Sequence, residues 1–209
     1  MAAKLAWAIL WLMEAAAIAQ GQKFEITALI GGQLNGGLDL STASLRHIDA
    51  KNGLIRGLAL SYEPKAHAAV EFMWTYSNPD TFSQPIGGGP STKIFVLDEN
   101  RYFGNLLFHL ANGEKPLRPF LLGGIGITDL APAYPGVSGA TRLAFALGGG
   151  VKYNFSRWFG LRLQVKWSPT YLSTTNGYWC DAVWGGCWSV GQNHYLNELD
   201  GTAALTFRF

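Results

Sequence analysis

Four histidines, His47, His67, His109 and His194, are the side chains of this sequence best suited to exchanging a proton near neutral pH. His194 has a hydroxyl and a carboxylate in its own stretch, Ser189 and Asp181. A hydrolytic triad needs nucleophile, base and orienting acid in hydrogen-bonding order, and no spacing here singles out such a set. The same stretch holds both cysteines, Cys180 and Cys187. With only Asp181 and His194 as companions, they fall short of a zinc site. Two glycine clusters lack the rest of a nucleotide motif. Gly87-Gly88-Gly89-Pro90-Ser91-Thr92-Lys93 does not follow the G-K-[ST] order of a phosphate loop and reads as a flexible external loop. Gly123-Gly124-Ile125-Gly126 has neither the helix nor the acidic residue of a dinucleotide site, so its glycines are expected to serve close packing. The expectation is a chain with no catalytic residues, no cofactor and no metal.

The elements that would position side chains are strands. Charged residues make up 14% of the chain, while glycine reaches 26, tryptophan and tyrosine 8 each and phenylalanine 12, which is neither a disordered nor an ordinary soluble composition. At its start, Lys4, an apolar run over residues 5–13 and Ala17-Ile18-Ala19 have the order of a secretory signal peptide, with cleavage expected before Gln20. The run is too short for a spanning helix and Glu14 interrupts it. The domain organisation expected is therefore a signal peptide at 1–19 and one domain at 20–209. The formal charge of +2, without a basic block interleaved with aromatics, gives no support to nucleic acid as a partner.

Period-2 alternation is clearest over residues 141–155. Leu143, Phe145, Leu147, Val151, Tyr153 and Phe155 fall on one face, and Arg142, Ala144, Ala146, Gly148, Gly150 and Lys152 on the other. Residues 159–168 repeat this, with Leu161, Leu163, Val165 and Trp167 opposed to Arg162, Gln164 and Lys166, and the last strand sets Leu205, Phe207 and Phe209 against Thr206 and Arg208. These three strands keep five cations on one side, Arg142, Lys152, Arg162, Lys166 and Arg208. A cation facing lipid costs about 2–4 kcal/mol at the bilayer midplane, so a one-residue slip would be prohibitive. Weaker alternation over residues 24–32, 54–62, 68–76, 101–110 and 118–130 brings the total to eight strands and puts Glu25, Glu71 and Arg101 on the inner face. Short links near 63–67, 111–117 and 156–158 alternate with long ones near 33–53, 77–100, 131–140 and 169–197, as in a membrane barrel with both termini on one side. The fold class expected is all-β, an eight-stranded antiparallel transmembrane barrel.

The terminal Phe207-Arg208-Phe209 resembles the C-terminal signal of bacterial outer-membrane proteins, in which an aromatic closes an alternating last strand. Together with residues 118–126, 147–155 and 159–163, it makes the chain similar to the small outer-membrane β-barrel domain family, the OmpA-like and OmpX-like eight-stranded proteins. The resemblance implies a monomer in the bacterial outer membrane with its termini in the periplasm, in contact with outer-membrane lipid and inserted by the outer-membrane assembly machinery, which would read Phe207 and Phe209. Structural, adhesion and narrow-pore roles occur in that family. The chain ends at Phe209 without the peptidoglycan-binding domain of full-length OmpA-like proteins, so a cell-wall tether is not expected.

Inside so narrow a barrel side chains fill the space. Small residues at 144, 146, 148 and 150 would make room for Arg162, Lys166 and Arg208, which need anions among Glu25, Glu63 and Glu71. Glu25 with Arg208, at the seam of the first and last strands, is the foremost expected pair. Cys180 and Cys187 are expected to form an intraloop disulfide in an exported chain. Trp179, Trp184 and Trp188 in that loop form a candidate patch for a surface ligand, whereas Trp74, Trp158, Trp167 and Tyr76 read as girdle residues at the membrane boundaries. A structural or surface-interacting barrel with a plugged polar interior is the leading expectation, and a narrow channel the alternative. A lipid-A-modifying enzyme and a secreted lipocalin-like binder fit less well, the latter because its outer face should be dense in Lys and Glu.

Overall fold

The computed structural model describes residues 23–36, 38–39, 45–50, 52–85, 92–111, 115–133, 139–171, 179–181, 186–188 and 195–209. Thirteen strands are present among them. Eight build the barrel: β1 (Phe24–Asn35), β4 (Gly53–Lys65), β5 (Ala68–Ser77), β7 (Thr92–His109), β8 (Leu117–Pro132), β9 (Ala140–Asn154), β10 (Phe159–Tyr171) and β13 (Tyr195–Arg208). The other five are β2 (Leu38–Asp39), β3 (Leu45–Ala50), β6 (Asp80–Pro85), β11 (Trp179–Asp181) and β12 (Gly186–Trp188).

Each barrel strand pairs antiparallel with its neighbour in the ring, and β1 with β13 closes it. The closure runs to the last residue, because Phe24 and Phe209 exchange two backbone hydrogen bonds at 3.2 and 3.0 Å. Following the register from Glu25 through Ser61, Glu71, Asn105, Gly124 and Ala146, then across β10 and β13, returns to β1 at Asn35. The shear is therefore ten residues, from position 25 to position 35. With ordinary strand spacing and rise, eight strands with that shear tilt by about 40° and enclose a bore just wide enough for side chains.

The alternation expected from sequence is the alternation observed. Leu58, Leu106, Leu121, Leu147, Leu163 and Leu205 are exposed on the outer face, while Arg101, Lys152, Arg162 and Lys166 are buried within. No helix among the described residues is long and apolar enough to cross a membrane, and the crossing elements are strands. Around the termini rim, where the described ends Lys23 and Phe209 lie, runs a chain of ring contacts: Tyr62 with Phe24, Phe24 with Phe209, Phe209 with Phe207, and Phe207 with Trp158 and Phe159.

Three of the long connections are shorter than expected, because strands continue into them. The segment 77–100 contains all of β6 and the first part of β7, and 169–197 gives its ends to β10 and β13. The segment 33–53 contains β2 and β3, which with β6 extend the sheet of β7 beyond the barrel. Thr92 and Lys93, expected in a flexible loop, thus open a strand, and residues 87–91 lie outside the described set. Long connections in such barrels often carry the outer sheet upward, and backbone pairing with a neighbour satisfies their polar groups without need of apolar alternation.

Candidate functional site

The inward side chains form two ion-pair networks, one toward each rim. The network on the termini side starts from Glu25, whose Oε1 accepts from Lys152 Nζ at 2.7 Å and whose Oε2 accepts from Arg208 Nε at 3.2 Å. Arg208 Nη2 also lies 3.7 Å from Glu63 Oε2. Arg118 grips Glu63 with both terminal nitrogens, Nη1 to Oε2 at 3.2 Å and Nη2 to Oε1, and donates to the Ala66 carbonyl at 2.8 Å. Deeper in, Arg162 holds Glu71 in a two-point contact and also donates to Gln164, while Ser61 and Asn105 donate to the same carboxylate at 2.9 and 3.2 Å. A buried carboxylate with every lone pair occupied is what makes such a charge tolerable in a low-dielectric interior.

The second network lies toward the long connections and goes beyond what the sequence pattern predicts. Arg101 Nη1 donates to Glu198 at 3.0 Å and to Asp200 at 3.2 Å, and Gln33 Nε2 bridges Glu198 and Glu99, 2.9 Å from each. Ser77 adds a bond to Glu99 at 2.9 Å. Lys166 Nζ approaches Asp200 Oδ2 at 3.2 Å, a charge contact off the hydrogen-bond axis. Lys166 is therefore compensated by Asp200, and not by Glu25, Glu63 or Glu71 as expected from sequence. The signal is present in the chain, since Glu198, Asp200, Ala204, Thr206 and Arg208 share one parity. It is masked because apolar alternation marks only the C-terminal part of β13, while Glu198 adjoins a stretch with the composition of a loop.

Between the networks the bore is apolar on several strands. Leu29 on β1, Met73 on β5, Phe103 on β7 and Ala204 on β13 each stand between a residue of one network and a residue of the other, whereas Gln164 does so on β10. Met73 and Phe103 are direct register partners. Two aromatic rings insulate the charges: Phe103 lies under Lys166 Nζ at 4.3 Å, and Phe120 receives Arg162 Cζ at 4.7 Å and Lys152 Nζ at 5.9 Å. The small residues of β8 and β9 admit these rings. A Cβ on Gly150 would lie 2.9 Å from Phe120 Cζ and 2.1 Å from the Leu163 carbonyl, and one on Gly126 would lie 2.6 Å from Phe103 Cδ1. Of the small residues expected from sequence to make room for Arg162, Lys166 and Arg208, Gly150 borders Phe120, whereas a Cβ on Gly148 would lie 2.9 Å from Lys166 Cα.

Of the other sequence-designated residues, Arg142 is half-buried on the inner face of β9, with Thr128 as its register partner. His109 is buried, its Nδ1 3.9 Å from Glu63 Oε1. Trp74 donates from Nε1 to Asn100 at 3.2 Å and Tyr76 to Asp98 at 2.7 Å, both on the outer face where apolar surface gives way to polar. The backbone register of β11 and β12 sets Cys180 opposite Cys187 and Trp179 opposite Trp188. Trp184, Ser189, His194 and the segment 1–22 lie outside the described residues.

A closed eight-stranded antiparallel barrel with an apolar outer face and an interior of paired charges has the fold of the small outer-membrane β-barrels. Neisserial surface protein A (NspA) aligns with a TM-score of 0.56 and 12% identity over 91% of this chain and 100% of its own. The outer membrane protein OprG from Pseudomonas aeruginosa gives 0.55 and 13% over 90% and 97%, and the N-terminal β-barrel domain of Pseudomonas aeruginosa OprF gives 0.54 and 11% over 91% and 100%. At these identities the likeness is one of fold. No protein-family model matches the chain, and no curated protein matches it in sequence.

Proposed function

We propose that this chain is a bacterial outer-membrane barrel with a sealed interior, acting in a structural or surface-interacting role and not as an enzyme. One observation carries the reading: inward side chains at every depth are closed to water, from Lys152 at 1% through Phe103 at 0% to Asp200 at 1% exposure. A conducting lumen would wet at least one continuous file of them. The fold neighbours include one described as a surface protein and one as an outer membrane protein, which supports the location.

In this reading residues 1–19 are removed on export, with cleavage before Gln20. The termini lie in the periplasm, Phe207 and Phe209 are read by the assembly machinery, and the barrel works as a monomer. Recognition then belongs to the opposite rim, where a Cys180–Cys187 disulfide would fix a ribbon bearing Trp179 and Trp188.

The test is single-channel recording on the chain from Gln20, refolded into planar bilayers, beside Glu25→Gln and Arg208→Gln. The expected result is a folded, heat-modifiable and electrically silent protein. Reproducible ion-selective steps that change in the two variants would replace this reading with a narrow charged channel.

A further inference from the structure

We infer that the rim carrying the termini is a binding surface for the headgroups of anionic phospholipids. The inference rests on the membrane-barrel reading above and adds which lipid the barrel gathers. An exposed cation stands at each of the three short connections of this rim: Lys65 at the end of β4, Lys115 between β7 and β8, and Arg157 between β9 and β10. They are therefore distributed around the ring and not gathered at one point. The acidic residue near the end of β4 does not cancel them, because Glu63 is drawn inward by Arg118 and Arg208. Glu114, beside Lys115 in sequence, lies outside the described residues.

Height matters as much as sign. The Arg157 guanidinium lies 5.6 Å from the Trp158 ring, and Trp158 stacks on Phe207 at 6.3 Å, so this cation rests directly on the aromatic belt. Aromatic belts sit at the level of the lipid headgroups, and Lys and Arg beside them extend toward the phosphates. A phosphatidylglycerol headgroup offers a net negative charge at that depth, whereas the zwitterionic phosphatidylcholine headgroup offers none. Attraction between a basic juxtamembrane group and an anionic leaflet is short-ranged and falls off within a Debye length, so the preference must weaken with salt.

The experiment measures boundary-lipid selectivity. The chain from Gln20 is refolded into phosphatidylcholine vesicles containing spin-labelled phosphatidylglycerol or spin-labelled phosphatidylcholine, and the motionally restricted fraction is read by electron spin resonance. The expected result is about threefold preferential association of phosphatidylglycerol at low ionic strength, lost in high salt and lost in Lys65→Gln/Lys115→Gln/Arg157→Gln. These exposed positions contribute no ion pair to the interior, so the variant should fold, which its heat-modifiable migration verifies. Equal association of the two lipids with an inserted barrel, or a preference that survives the triple substitution, would overturn the inference alone. A chain that does not insert would overturn the barrel reading with it.

Discussion

Lys152 on β9 reaches across the barrel to Glu25 on β1, with Nζ 2.7 Å from Oε1. Strands β10 and β13 lie between them in the ring, so the contact exists only when the barrel is closed. Closure and charge compensation are thus one event, and the network reports on completed folding.

Replacing Glu25 with leucine strands both Lys152 and Arg208. Breaking a buried pair from one side costs about 3–5 kcal/mol, whereas removing both partners can approach neutrality. Urea unfolding in lipid vesicles should show that loss for Glu25→Leu and substantial recovery in Glu25→Leu/Lys152→Met. Additive effects in the double variant would mean that the two residues do not interact.

The apolar middle is expected to be the seal. Met73 and Phe103 face each other on adjacent strands, and replacing both with alanine opens a gap joining the two polar ends. Conductance steps should appear in this variant while the parent stays silent. A silent, folded double variant would place the seal elsewhere.

Gly150 and Gly123 make a matched pair. A side chain at Gly150 meets the Leu163 carbonyl, whereas at Gly123 nothing lies within 4 Å. Gly150→Val should cost upward of about 1–3 kcal/mol and lose the compact, heat-modifiable form. Gly123→Val, outward on the same pair of strands, should migrate as the parent does.

Deleting Phe209 removes two seam hydrogen bonds and ring contacts to Phe24 and Phe207. About 2 kcal/mol should be lost in spontaneous vesicle refolding, without any assembly machinery present. Loss only in cells, with normal refolding in vesicles, would assign Phe209 to recognition by that machinery alone.

The register opposing Cys180 to Cys187 fits a cross-strand disulfide. Chain isolated from the cell envelope should take up no thiol reagent until reduced, and reduction should expose the ribbon to proteolysis between the two cysteines. Immediate alkylation of both without reductant would show free thiols.

Legibility follows alternation. On β9, β10 and β13 one face is apolar and the other small or charged, so the pattern alone assigns Lys152, Arg162, Lys166 and Arg208 to the interior. On β8 both faces are apolar, with Phe120 and Leu122 inward and Leu121 and Ile125 outward. Period 2 therefore leaves Arg118 and Phe120 undistinguished. Glu99 is hidden for a different reason, because alternation fades where the sheet leaves the bilayer and the stretch around it has the look of a loop.

The sequence by itself determined the strand class, the facing of the charged residues and the closing aromatic, because a lipid-facing cation is so costly that only one register survives. Partnership was decided by the tertiary structure. A shear of ten residues sets which inward positions share a depth, and so gives Lys152 to Glu25, Arg162 to Glu71 and Lys166 to Asp200. Facing is a property of one strand's own pleat, whereas depth inside a barrel depends on the accumulated stagger of all eight.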